Sequence, residues 1–210
     1  MAFSMRCCRS PRLEAWLAGA LIALALLAGL ASARAAQPPG LEELRVEQAG
    51  GELFLFAQMR FELAPSVEDA LRKGIPVQFV AEVRVTRERW YWTDERLVQA
   101  RRYTRIAYQP LTRRWRVNTS SEPITGTALG LGLTQYHDSL AEALAAVQRI
   151  AGWRVASAED LAAGGRQVLQ FRFRLDSSQL PRTFQLGAVG QADWQLSIER
   201  RIDLSPEDGQ

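Results

Sequence analysis

The chemistry open to this chain is limited first by what it lacks. Its single histidine, His137, is the natural general base near neutral pH, and Asp138 and Ser139 beside it have the residue types of a hydrolytic triad. Triad members meet in space rather than along the chain, and Ser139 is placed to cap a helix, so His137 reads as an exposed loop histidine. Both cysteines, Cys7 and Cys8, lie at the extreme amino terminus, in a stretch read below as an export leader. Without that leader the chain has no thiol nucleophile, no disulfide and no Cys-ligated zinc. Carboxylates remain, but Glu42 and Glu43, Glu68 and Asp69, and Glu159 and Asp160 are adjacent pairs. Such pairs point in different directions on a strand and are ordinary at a helix start, and none has the spacing of a calcium loop. Gly126, Gly130 and Gly132 match no phosphate-binding loop and lack its lysine. No catalytic residue, metal ligand or cofactor is therefore assigned, and the chain is expected not to be an enzyme.

What the sequence does concentrate is arginine beside aromatic side chains. From Arg84 to Arg116 there are ten arginines against three acids, with Trp90, Tyr91 and Trp92 among them. A guanidinium over an indole contributes roughly 0.5 to 2 kcal/mol per contact, and arginine grips carboxylate or phosphate in bidentate fashion. The candidate binding residues are Arg84, Arg89, Trp90, Trp92, Arg101, Arg105, Arg114 and Arg116. Two arrangements accommodate them. In one, the tryptophans plug the end of a sandwich and the arginines pair with the acids of Leu41 to Asp69, where seven acids accompany two arginines. In the other, arginines and tryptophans form a docking surface for an acidic envelope protein or an anionic lipid or polymer. Exposed salt bridges add too little stability to require so many arginines, which favours keeping the second arrangement in view.

Strands must position these side chains. Between Ile75 and Val117, Ile75, Val77, Phe79, Ala81, Val83 and Val85 share one parity and Gln78, Glu82 and Arg84 the other, as a half-buried strand requires. Val80 breaks the pattern. Val98, Ala100, Thr104, Ile106 and Tyr108 alternate with Gln99, Arg101, Tyr103 and Arg105, and Trp115 and Val117 oppose Arg114 and Arg116. Three successive strands are expected to pair as a meander, with Arg84, Arg101, Arg105, Arg114 and Arg116 on its outer face. Like charges across strands oppose pairing, so the face calls for acidic company.

Residues 1–36 stand apart. Arg6, Arg9 and Arg12 precede an apolar run from Trp16 to Leu30, and Ala33-Arg34-Ala35 offers a small-x-small cleavage site, the layout of a secretory signal peptide. The alternative is an uncleaved inner-membrane anchor. The leader takes four of the 26 basic residues and one of the 23 acids, leaving 22 of each. The remaining domain is neutral overall and polarised within, unlike the net-basic surface of a nucleic-acid binder. A periplasmic location is expected.

Along the rest of the chain, residues 37–40 read as a linker, 41–204 as a single domain and 205–210 as a polar tail. Leu41 to Gln48 and Glu52 to Leu63 form a hairpin around Gly50-Gly51, and Phe54 and Phe56 make both faces of its second strand apolar. Ser66 is the expected N-cap of a short helix ending at Gly74. Thr119 to Asp138 reads as a Gly/Thr-rich mobile connection. A second helix is expected from Ser139 to about Ile150, with Ser139 and Glu142 as a capping box and Gly152 as its stop. Trp153 to Val155 reads as a short strand and Ala158 to Gly165 as turn-rich. Gln167 to Asp176 is a strand with Gln170, Arg172 and Arg174 outward, and Trp194 to Leu204 is the last strand.

Five blocks in order, FELAPSVEDALRKGIPVQFVAEVRV, RERWYW, AYQPLTRRWRV, SLAEALAAVQRIAGWRV and FRLDSSQLPRTFQ, resemble the DUF4390 family of exported proteobacterial proteins. The likeness covers nearly all of Leu41 to Leu204. It implies a signal peptide and one domain, supplies no catalytic residues, and implies a link to a membrane sensor kinase through gene neighbourhood. The combined expectation is a mainly β, antiparallel β-sandwich with two short helices. Its function is expected to be that of a non-enzymatic binding or accessory module in the envelope. The alternatives are a carrier of an apolar or lipid-like ligand, or a carboxylate-based enzyme.

Overall fold

The alternation in the sequence resolves into two antiparallel sheets over residues 38–88, 95–124, 132–161, 165–179 and 194–204, which the computed structural model describes. β1 (Gly40–Ala49) and β2 (Glu52–Arg60) form the expected hairpin, and β7 (Arg149–Ser157) pairs with the free side of β2, giving the order β1-β2-β7. β3 (Val77–Arg87), β4 (Glu95–Gln109) and β5 (Arg114–Ser120) form the expected meander. β6 (Leu133–His137) extends it on one side, and β8 (Gln167–Asp176) and β9 (Ser197–Asp203) on the other. The larger sheet therefore runs β6-β5-β4-β3-β8-β9, and the fold is the antiparallel sandwich that the alternation predicts.

One apolar core lies between the sheets. Leu55 and Met59 of β2, Phe79 and Val83 of β3, and Phe171 and Phe173 of β8 are all buried in it. Phe61, just past β2, places its ring 5.8 Å from Phe79 and 5.5 Å from Phe173, and Phe79 stacks on Phe173 at 5.6 Å. Such ring pairs add about 0.5–1.5 kcal/mol each beyond area burial. Phe54 and Phe56 lie on the other face of β2, half-buried, and the Arg45 guanidinium lies 5.1 Å from the Phe56 ring centre.

Helices close the gaps between strands. α1 (Pro65–Arg72) has Ala64 at its N-cap and no side-chain cap, so Ser66 lies inside the helix rather than capping it. Pro65 decides this, because its fixed φ and missing N–H suit the first helical position. At the other end the Gly74 and Ile75 N–H groups donate to Leu71 and Ala70 carbonyls at 2.9 and 3.0 Å, a Schellman closure. α2 (Leu140–Gln148) starts as expected, with Ser139 Oγ accepting from the Glu142 N–H at 3.2 Å. It ends early. Ile150 and Ala151 belong to β7, and Gly152 is no helix stop: with φ of 60° it forms a bulge where the register moves from Leu55–Trp153 to Ala57–Ile150. α3 (Ala158–Leu161) is a single turn in which Ser157 and Asp160 cap each other, and these hydrogen bonds from Ser157 hold the Asp160 carboxyl below its ordinary range.

The connection expected from Thr119 to Asp138 does not stay a loop. Its end is β6, hydrogen-bonded along β5 from Thr119–Leu133 to Trp115–His137. A Cβ at Gly132 would collide with the Thr119 carbonyl, so glycine lets the chain enter β6 pressed against β5. His137 is consequently half-buried in a strand, not exposed in a loop, and its Nε2 is buried without a hydrogen-bond partner among the described residues.

Candidate functional site

The pleat sets which side chains share the outer face of the larger sheet, and the register then sets their neighbours. Arg84, Arg101, Arg105, Arg114 and Arg116 do share it, as the alternation predicts. Strands β8 and β9 bring Arg172, Arg174 and Arg201 onto the same face, which makes eight arginines in this uninterrupted register against four acids, Glu82, Asp176, Glu199 and Asp203. Arg172 and Arg174 are outward by parity in the sequence, but nothing local to them shows that β8 lies beside β3. Arg102 departs from its neighbours: it sits opposite Ala81 on the inner parity, and burial lowers its pKa. Arg89, Trp90 and Trp92 lie outside the described residues.

Val80 explains its own irregularity. It points outward, beside Tyr103, and with Ile124 these residues form a second small buried cluster. The chain after β5 thus folds over the middle of the outer face, where Gln78, Asn118 and Ser120 are also buried. This plug divides the arginines into two groups.

In the first group, around β3, β8 and β9, charges alternate. Glu199, Arg172, Glu82 and Arg101 follow one another across four strands. Arg172 Nε donates to Glu199 at 2.5 Å, while Glu82 accepts from Arg84 and Gln99 at 2.8 Å each and lies 3.6 Å from Arg101 Nε. Burial by itself raises the Glu82 carboxyl, but Arg101, Gln99 and Arg84 together outweigh it and hold the group below its ordinary range. Arg201 pairs with Glu88 at 2.9 Å, and Arg174 with Asp176 at 3.7 Å. A shallow polar depression of about 170 Å3 lies here, lined by Glu82, Arg84, Gln170 and Arg172.

Among the described residues the second group, on β4, β5 and β6, has fewer acids on the sheet face than the first. Arg114 Nε meets Asp138 at 3.0 Å, and the Arg114 guanidinium lies 5.9 Å from the Tyr136 ring centre. Arg116 has no ion-pair partner among the described residues. Burial lowers the Arg105 pKa, and the neighbouring Arg116 charge lowers it further, the signature of cations held close together. Next to them Tyr136 and Leu111 are exposed large side chains.

The amino-terminal acids do not cover this face, contrary to the first arrangement drawn from the sequence. Their hairpin belongs to the other sheet, where Arg45 lies 3.8 Å from Glu43 and 3.1 Å from Glu47, Arg60 pairs with Glu42 and Arg154 with Glu52. Glu68 and Asp69 are taken by Arg72. The imagined triad does not assemble either: Asp138 engages Arg114 and Ser139 caps α2. Among the described residues, no three His, Cys, Asp or Glu side chains gather in metal-binding geometry.

A two-sheet antiparallel sandwich whose distinguishing surface is a cationic sheet face is the class of protein that fold and site define. Over residues 36–203 the chain matches the family described as a domain of unknown function, DUF4390, and it belongs to that family. None of the curated proteins and none of the solved structures compared with it matches.

Proposed function

We propose that this protein is a non-catalytic binding module of the cell envelope that takes an acidic protein segment on the β4-β5-β6 part of its arginine face. The observation that carries this reading is the uneven placement of acid: among the described residues the acids of the outer face sit mainly on β3, β8 and β9, and Arg116, next to Arg114 on β5, has no carboxylate partner. Cations held together contribute nothing to folding, and an arriving carboxylate relieves them while gaining charge-assisted hydrogen bonds. The depression lined by Glu82, Arg84, Gln170 and Arg172 lies apart from this site, and its polar lining argues against an apolar cargo there. The envelope setting and the absence of nucleic acid from the reading rest on the leader and on the neutral balance of the remaining chain.

The test uses the full chain and a fluorescein-labelled, glutamate-rich peptide. Replacing Arg114 and Arg116 together by glutamine should raise Kd at least tenfold and reduce its salt dependence, with circular dichroism unchanged. The paired control, Arg84→Gln with Arg172→Gln, should bind nearly as the parent does. The reverse ranking of the two variants would overturn the assignment, as would a parent protein that binds anionic phospholipid vesicles and not the peptide.

A further inference from the structure

Among the described residues each sheet ends in two strands with no further strand on their outer side, and such edges recruit foreign strands unless charges, bulges or prolines prevent it. The four edges of this sandwich differ. β1 carries Glu42, Glu43, Arg45 and Glu47 and a register break between Leu41 and Glu43. β7 carries Arg149 and Arg154 and the bulge at Gly152. β9 carries Glu199, Arg200, Arg201 and Asp203. β6 reads Leu133-Thr134-Gln135-Tyr136-His137, with no carboxylate, lysine, arginine or proline and an unbroken register on β5. Its Leu133 and Tyr136 are 61% and 49% exposed.

We infer that β6 is a strand-addition site, at which an extended acidic segment of a partner protein becomes the seventh strand of the larger sheet. This rests on the binding role proposed above and specifies how the partner lies. A strand added to β6 runs about 4.8 Å from it and so roughly 10 Å from β5, a span that a glutamate and an arginine side chain cover together. Arg116 stands directly across from Tyr136, and Arg114 reaches the ring of the same tyrosine. Carboxylates at alternate positions of the partner therefore extend over Tyr136 to these guanidinium groups. The Arg114–Asp138 pair is 48% and 79% exposed, so it exchanges readily for a partner's carboxylate. The intervening positions fall on the Leu133 side of the sheet and take apolar residues. The partner motif is thus an alternation of acidic and apolar residues over the length of β6. A second copy of this chain fits less well, because β6 against β6 adds arginines from both copies to one face and brings no sheet acid with them.

The probe is the peptide Val-Glu-Val-Glu-Val-Glu-Val with the full chain, together with two versions N-methylated on alternate residues. Only one of the two alternate sets of amides faces β6. We expect the parent peptide to slow amide exchange of residues 133–137 at least tenfold, and only one N-methylated version to lose at least tenfold in affinity. If both N-methylated versions bind as the parent does and β6 exchange is unchanged, while Arg114→Gln with Arg116→Gln still weakens binding, strand addition is wrong and the arginine site stands. If no peptide binds, both fall. A dimer in sedimentation that Gln135→Pro dissociates would make a second copy the occupant and overturn the inference.

Discussion

On the inner face of the larger sheet Phe79, Val83, Phe171 and Phe173 are buried beneath β2, while one residue away along the same strands Arg84, Arg172 and Arg174 reach toward solvent. The two faces share backbone, twist and hydrogen bonds, so they differ only in what their side chains touch. Burial of apolar area and ring packing hold the inner face at about 25 cal/mol per Å2. Exposed ion pairs on the outer face contribute about 0–1 kcal/mol each. A substitution on one face is therefore expected to cost folding, and on the other to cost binding. The exception is the plug of Val80, Tyr103 and Ile124, where the outer face carries a small core of its own.

The strongest challenge to that contrast is Phe173→Ala, which removes the ring that both Phe61 and Phe79 contact. It should lower the unfolding free energy by about 3–5 kcal/mol in chemical denaturation. Val80→Ala tests whether the plug is truly core. Two buried methyl groups at ~0.8 kcal/mol each, with the cavity they leave, give an expected loss of about 2 kcal/mol, and a neutral result would make the outer face uniform.

Glu82→Gln probes the charge network by pH. Burial raises the carboxyl, but Arg101, Gln99 and Arg84 prevail, so the folded group titrates below its ordinary value of 4.5. Stability from a depressed carboxyl is present above the unfolded pKa and is lost as pH falls through the folded one. The variant should be less stable than the parent by about 1 kcal/mol near pH 7, and the gap should close below pH 4.5. A gap that persists in acid would mean that packing, not charge, holds Glu82. The smallest effect belongs to Arg101→Gln, whose pair with Glu82 is half-exposed and long at 3.6 Å. Thermal denaturation should place its loss within about 0.5 kcal/mol.

Much of this could be read in advance, for identifiable reasons. The β3-β4-β5 meander and β8 follow from an alternation that Val80 and Arg102 interrupt without destroying, and the Ser139 cap from its spacing to Glu142. β6 escaped because five residues without clear alternation follow a Gly/Thr-rich stretch, and its strand character comes from pairing with β5. The N-cap of α1 lies two residues before the Ser66 that its hydroxyl suggests, because Pro65 at the first helical position outweighs that hydroxyl. In the site, the outward set from Arg84 to Arg116 was visible. The contributions of Arg172, Arg174 and Arg201, the hub role of Glu82 and the inward turn of Arg102 were not.

The amino-acid order by itself determined the face that Arg84, Arg101, Arg105, Arg114 and Arg116 occupy, because side chains on a strand alternate with a period of two and the apolar residues between them can be satisfied only inward. Which carboxylate meets which guanidinium was decided by strand order, which joins residues far apart in the chain: Arg172 comes to Glu82 through β8 beside β3, and Glu42, Glu43, Glu47 and Glu52 go to the other sheet with β1 and β2. Among the described residues, the positive surplus beside β6 is a product of that topology.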